Sequence, residues 1–278
     1  MEPIEAIVLA VIQGLTEFLP VSSSGHLALA HWLLGGRAPI HTELPLEYVV
    51  LVHFGTLLAV VLYYAEDFAV ILRDIFRGRG SGEGRRPRGW GRKVGWLLVV
   101  ATVPAAVVGV LFKGYVEALF NVPWVVGISL LITGTILLVG ERVGQRNKSE
   151  TETTLLDAFV VGVGQAVAIV PGISRSGSTI ATGLGVGLTP EWSPRFAFLM
   201  SVPIILGGTV YEVRDLLAHG AVQNLALYSL CGLISAVFGY LAIRLVINAV
   251  RAGNLKYFAA YCYMVGILAI VVDVYGLL

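Results

Sequence analysis

The sequence predicts an all-α polytopic membrane protein with an inverted-topology repeat, each half one re-entrant helical hairpin plus three transmembrane helices. Three observations predict it. The composition is too apolar for a water-soluble domain, six stretches approach membrane-span length, and two further apolar regions are broken by Pro, Gly and Ser at matching places in the two halves.

Of the 278 residues, 56% are hydrophobic and 13% charged, and the mean hydropathy is +0.82. A soluble domain of this size carries about 25% charged residues, so the excess apolar surface requires lipid. The net charge of +1 supplies no global field for nucleic acid. Cys231 and Cys262 lie in apolar stretches without metal-ligand spacing and read as small packing residues. The first apolar run is interrupted by Gln13 and Glu17 and ends in a polar cluster, unlike a cleavable signal peptide.

A helical crossing takes roughly 17–25 residues. Five stretches qualify, at about 46–66, 94–112, 122–140, 221–243 and 257–276. A sixth, near 196–211, is short and contains Pro203 and Gly207-Gly208, but Tyr211 can anchor its end at the interface. The apolar arms 4–12 and 27–34 flank QGLTEFLPVSSSGH, and the arms 155–170 and 178–188 flank PGISRSG. No arm is long enough to cross. Broken backbone at membrane depth persists only where protein or a wet cavity satisfies it, so both regions are expected to be re-entrant.

The halves are related in sequence. Gln13 and Gln165, Ser22 and Ser174, Ser24 and Ser176, and Gly25 and Gly177 each stand 152 positions apart, and Tyr63 and Asp67 recur as Tyr211 and Asp215. The first repeat is placed at 1–145, with its hairpin at about 4–35, and the second at 155–278, with its hairpin at about 155–188, in one integrated membrane domain. Three spans plus a hairpin cross an odd number of times, which inverts the second repeat and places a site at the repeat interface. The threading puts 15 of the 19 basic residues on one side: those of loops 73–93, 141–157 and 244–256, with Arg195. Arg37, Lys113 and Arg214 lie opposite. The positive-inside rule then expects both termini outside, the first hairpin entering from outside and the second from the cytoplasm.

Ionisable groups at membrane depth are costly and mark function by default; Glu17, His26 and Arg175 are three. A structural ion pair between the hairpins would explain Glu17 and Arg175 alone. Their neighbours argue for more. Gly172, Ser174, Ser176 and Thr179 surround Arg175 where a helical arm begins, and backbone N–H groups, hydroxyls and a guanidinium fork all suit phosphate oxygens. Gln13 and Glu17, four apart on one helical face, can offer oxygens to Mg²⁺ or Ca²⁺. Ser22, Ser23 and Ser24 offer phosphate donors or a nucleophile beside His26. His31, His41 and His219 are expected near the interface. His53 reads as a packing residue, with lining the cavity as the alternative, and Gln165 as a functional residue or a relic of duplication. Glu66, Asp67 and Asp215 read as boundary charges. The glycine-rich 77–91 segment reads as a cytoplasmic loop able to touch anionic lipid heads.

QGLTEFLPVSSSGH with PGISRSGST resembles the paired signature of the undecaprenyl-diphosphate phosphatase family, the bacitracin-resistance membrane phosphatases. The pattern is matched at Gln13 and Glu17, Pro20 to Ser23, His26, Pro171, Gly172, Ser174, Arg175, Ser176 and Thr179. The resemblance covers essentially the whole chain. Gln13 stands where some relatives have Glu, one negative charge fewer toward a metal. What the resemblance implies is hydrolysis of undecaprenyl diphosphate to undecaprenyl phosphate at the outer face of the cell membrane. That reaction recycles the lipid carrier of peptidoglycan and cell-wall synthesis, supports cell shape and confers bacitracin resistance.

In the mechanism expected on this basis, Arg175 with Ser22, Ser174, Ser176, Thr179 and Gly172 holds the diphosphate, while Glu17 with Gln13 recruits the divalent cation. Ser23 assisted by His26 is preferred as the attacking group, with His26 itself or water as alternatives. The expected partners are the polyprenyl diphosphate lipid and membrane lipids, with a homodimer left open. A polyprenyl-phosphate flippase is the alternative, because inverted repeats and broken helices also serve alternating access.

Overall fold

The computed structural model describes residues 1–33, 44–76, 87–119, 122–143, 146–219 and 224–275. The helices are α1 (Pro3–Phe18), α2 (Ser23–Leu33), α3 (Leu46–Tyr63), α4 (Ala65–Phe76), α5 (Trp90–Leu111), α6 (Lys113–Leu119), α7 (Pro123–Arg142), α8 (Leu155–Val167), α9 (Arg175–Gly185), α10 (Trp192–His219), α11 (Leu225–Arg251) and α12 (Leu255–Val274). Among the described residues the one β feature is an isolated bridge between Lys148 and Leu188. Six helices are long and apolar enough to cross a membrane: α3, α5, α7, α10 over Trp192–Val210, α11 and α12. They correspond to the six predicted spans, and the protein is an all-α polytopic membrane protein.

Helix pairs approach closely through small residues. A Cβ on Gly55 of α3 would lie 2.0 Å from the Gly232 carbonyl oxygen of α11, and one on Gly127 of α7 would lie 2.9 Å from that of Gly266 of α12. Lipid tails are as apolar as leucine, so such packing, rather than hydrophobic sorting, drives helix association in a bilayer. On α5, Trp96, Val99, Val103 and Val107 recur at helical spacing and are exposed, which leaves that face to lipid.

Four expectations are corrected. After the first span a further helix, α4, runs from Ala65 to Phe76, so residues 73–76 of the loop expected at 73–93 are helical, as are residues 90–93, which begin α5. The pattern Asp67, Ile71, Asp74 buries one face, and Asp74 Oδ2 accepts the Gly91 N–H at 2.9 Å. Asp67 is no boundary charge: it is 3% exposed and receives Arg195 Nε at 2.8 Å and Nη2 at 2.5 Å. Span α11 runs on to Arg251, because Arg244 and Arg251 keep their charged heads exposed while the helix continues. His31, expected near the interface, is buried at 3% exposure. His41 and the side chains of His219, Asp215 and Tyr211 lie outside what the structure describes, as does most of the 77–91 segment. Cys231 and Cys262 are buried free thiols, as their apolar context predicts.

Candidate active site

Helix α1 starts with Pro3 in its first turn and buries Ala6, Leu9, Ala10, Gln13, Gly14 and Glu17 along one stripe. That stripe packs on α11, where Ser235 Oγ donates to the Ala10 carbonyl at 2.8 Å and a Cβ on Gly14 would meet the Ser235 carbonyl oxygen at 2.6 Å. The last turn of α1 is thereby held against a fixed neighbour. The chain then turns through Leu19-Pro20-Val21-Ser22. Ser22 has φ +73°, a left-handed conformation shared, among described non-glycine residues, only by Asn224. Such a conformation costs of order 1–3 kcal/mol and persists where surroundings impose it. It turns the Ser22 hydroxyl back to accept the Gly25 N–H at 3.3 Å, capping α2, so Ser23 begins that helix facing Glu17.

The second broken region is built on different contacts. Gly172 has φ +89°, and a Cβ there would lie 2.7 Å from both the Val126 carbonyl oxygen and Ser129 Cβ. Only glycine fits against α7. Thr133 of α7 donates to the Gly172 carbonyl at 3.1 Å and accepts the Ser174 N–H at 3.0 Å. Ser174 caps α9 by accepting the Gly177 N–H at 3.0 Å. Ser176 Oγ donates to the Leu19 carbonyl at 2.9 Å, tying the second loop to the first.

These contacts bring Arg175 onto Glu17. Arg175 Nη2 donates to Glu17 Oε1. Ser23 Oγ donates to Glu17 Oε2 at 2.7 Å, and Gln13 Nε2 donates to the same oxygen at 3.0 Å. One carboxylate from the first broken region thus takes a guanidinium from the second and a serine hydroxyl from its own. They lie in a cavity of about 810 Å³. Its polar floor comprises Glu17, Ser22, Ser23, Ser24, Ser174 and Arg175, with Thr16, Thr102, His53 and Gln165 around it. Its walls are Ala105, Ala106, Gly109 and Val110 of α5, Ile169 and Ile173, and Pro203, Ile204, Gly207 and Gly208 of α10. A polar floor beneath long apolar walls can hold an anionic head and an attached hydrocarbon chain at once.

Of the predicted site residues, Glu17, Ser22, Ser23, Ser174 and Arg175 line this cavity. Ser176, Thr179, Gly172 and Gln13 are not among its lining residues. Thr179 Oγ1 donates to the Arg175 carbonyl at 2.8 Å, holding the first turn of α9. Gln13 engages Glu17 through its amide nitrogen, so its oxygen is not the atom beside the carboxylate. His26 turns away. Its Nδ1 lies 2.8 Å from the Ser22 carbonyl and its Nε2 2.8 Å from Tyr261 Oη, with the two rings stacked at 5.5 Å. A carbonyl only accepts, so Nδ1 carries the proton and Nε2 accepts the tyrosine O–H. His26 lines a separate groove with Ile12, Leu15 and Tyr261. His53 and Gln165, neither given a firm role from sequence, both line the main cavity. The signal for Gln165 was its repeat position opposite Gln13; for His53 it was an ionisable group within a span.

Among the described residues no group of three or more His, Cys, Asp or Glu could hold a metal ion. Mg²⁺, however, is commonly held by one or two carboxylates together with substrate phosphates, and the Glu17 carboxylate on the cavity floor fits that mode.

Fold and site define a polytopic helical membrane protein whose ionic centre, carboxylate, guanidinium and serine, sits at the floor of an apolar-walled cavity. The chain belongs to the family described as bacitracin resistance protein BacA, which it matches over residues 6–268. It is 40% identical to the undecaprenyl-diphosphatase of Alkaliphilus metalliredigens over 97% of this chain and 98% of that protein. It is 41% identical to that of Rubrobacter xylanophilus over 94% of each, and 35% identical to that of Methanosphaera stadtmanae over 99% of each.

Proposed function

We propose that this protein is a membrane phosphatase that hydrolyses undecaprenyl diphosphate to undecaprenyl phosphate and inorganic phosphate. The observation that carries the reading is the Ser23–Glu17–Arg175 arrangement at the cavity floor. Family membership and relatives named undecaprenyl-diphosphatase at full-length coverage support it; nothing in those relatives supports the flippase alternative.

The arrangement supplies a mechanism. Without substrate, Arg175 neutralises Glu17. A diphosphate entering the cavity competes for the guanidinium, which suits phosphate oxygens as well as carboxylate, and so frees Glu17 to take a proton. Ser23 Oγ attacks the terminal phosphorus, its proton passes to Glu17 Oε2, and the bond from that phosphorus to the bridging oxygen breaks. Undecaprenyl phosphate leaves and phosphoserine remains. Glu17 gives its proton to the departing undecaprenyl phosphate oxygen and is again a carboxylate. Water then attacks the phosphoserine, its proton passes to Glu17, and Glu17 returns it to Ser23 Oγ as the Oγ–phosphorus bond breaks, releasing phosphate with the Ser23 hydroxyl restored. Arg175 faces the charge that spreads over the transferred group, where electrostatic positioning does most of the work. The assisting role expected of His26 passes to Glu17 in this reading, because Glu17 is the group hydrogen-bonded to Ser23. A Mg²⁺ or Ca²⁺ ion would be held by Glu17 and would neutralise phosphate charge.

The finer architecture belongs to the same reading. The pairs α1–α2 and α8–α9 are re-entrant hairpins of an inverted repeat. Their lengths support this: 16, 11, 13 and 11 residues, each short of a crossing. The distribution of basic loops supports an outward-opening site in the cell membrane with both termini outside. The test is phosphate release from undecaprenyl diphosphate by purified protein in detergent, with and without a chelator. Release that requires Arg175 and Glu17 supports the proposal. No release under either condition contradicts it.

A further inference from the structure

Gln165 lies in the last turn of α8 and is 2% exposed, and neither its amide oxygen nor its amide nitrogen has a hydrogen-bond partner in the protein. Burying an amide without partners is unfavourable, so such a group needs an explanation. Two facts supply one. Gln165 lines the cavity that holds Glu17, Ser174 and Arg175. Its repeat counterpart Gln13 donates its amide nitrogen to Glu17, four residues further along the same helix, leaving only its amide oxygen without a partner in the protein; the residue four beyond Gln165 is Ile169. The second hairpin thus kept the amide and has no carboxylate to receive it.

We infer that the missing partner is the substrate: Gln165 contacts the diphosphate, its amide N–H₂ donating to a phosphate oxygen beside Arg175. This deepens the phosphatase reading and rests on it. An amide is suited to this place. It adds donors without adding charge, and a second cation beside Arg175 would compete for Glu17 in the empty site. Ile169 next to it keeps that wall apolar. The carbonyl end of the same amide could instead face a bound cation, and the two roles respond oppositely to a carboxylate at this position.

The experiment measures thermal unfolding of the purified protein in detergent, alone and with inorganic pyrophosphate, together with KM and kcat on undecaprenyl diphosphate. It compares wild type with Gln165→Leu and Gln165→Glu. If the amide serves the ligand, Gln165→Leu without ligand unfolds at or above the wild-type temperature, because an unpaired polar group has gone from a buried site. Its pyrophosphate affinity falls about 10–100-fold, the worth of one hydrogen bond to a charged group, and KM rises more than kcat falls. Gln165→Glu binds pyrophosphate more weakly still.

A Gln165→Leu protein that unfolds early or fails to fold shows the amide to have a structural partner and overturns the inference. So does an unchanged pyrophosphate affinity. Tighter divalent-cation binding by Gln165→Glu with activity retained assigns the residue to the cation and also overturns it. If pyrophosphate fails to stabilise wild type at all, the phosphate site itself is refuted; if it stabilises wild type and Gln165→Leu equally, only the role of Gln165 falls.

Discussion

Replacing Glu17 by glutamine separates the base from the binding group. The amide keeps the size of the side chain and one acceptor for Arg175 or Ser23, but it cannot accept the Ser23 proton. In the wild-type protein the carboxylate receives Arg175, Ser23 at 2.7 Å and Gln13 at 3.0 Å. Removing one partner of a buried ion pair commonly costs 3–5 kcal/mol. Here the loss is less, since the Arg175 side chain is 19% exposed and faces a cavity, and stability should fall by about 1–2 kcal/mol. The effect on catalysis is larger. A positioned general base contributes about 10²–10⁴-fold, or about 3–5 kcal/mol of barrier. Glu17→Gln should therefore lower kcat by that factor while KM holds or falls, because Arg175 no longer has a carboxylate competing with the diphosphate. Steady-state phosphate release in detergent reads both constants. A kcat within about fivefold of wild type would refute general-base catalysis by Glu17, and a raised KM at unchanged kcat would reassign the residue to ground-state binding.

Other outcomes follow from the same geometry. Ser23→Ala should lose at least about 10³-fold in kcat, and rapid quenching of wild type should trap phosphate on Ser23; a phospho-enzyme on another residue contradicts the assignment. Gly172→Ala combines a left-handed backbone with a Cβ 2.7 Å from the Val126 carbonyl oxygen, and should cost about 2–5 kcal/mol and most of the activity. Gly185→Ala, where a Cβ would meet nothing within 4 Å, should be silent in both thermal unfolding and turnover. Asp67→Asn breaks the two-pronged contact to Arg195 and should lower stability by about 1–3 kcal/mol with kcat within a few-fold, because neither residue lines the cavity around Glu17 and Arg175.

Much of the fold was legible because the bilayer imposes it. Span-length apolar stretches and two regions broken by Pro, Gly and Ser were visible in composition and order alone, and the six spans fall where expected. The meeting of Glu17 with Arg175 was also legible, from two charges at depth in matching halves. The directions of neighbouring side chains were not. His26 follows Ser23 by one helical turn, a spacing that reads in sequence as service to it, yet Tyr261, 235 residues away, captures its ring. Ser176 and Thr179 look like phosphate donors, but their hydroxyls are taken by the carbonyls of Leu19 and Arg175. Asp67 looks like a boundary charge until α10 brings Arg195 to it. In each case the deciding partner is either distant in sequence or a backbone carbonyl, and neither leaves a mark on local pattern.

The account stands on Glu17 and Arg175 working as one unit at one site. A double-mutant cycle on kcat/KM for undecaprenyl diphosphate, using Glu17→Gln, Arg175→Met and the pair, measures that directly. The prediction is strong non-additivity, the double variant losing about as much as the worse single one. Losses that simply multiply would mean that the two residues act independently, and would contradict the shared site.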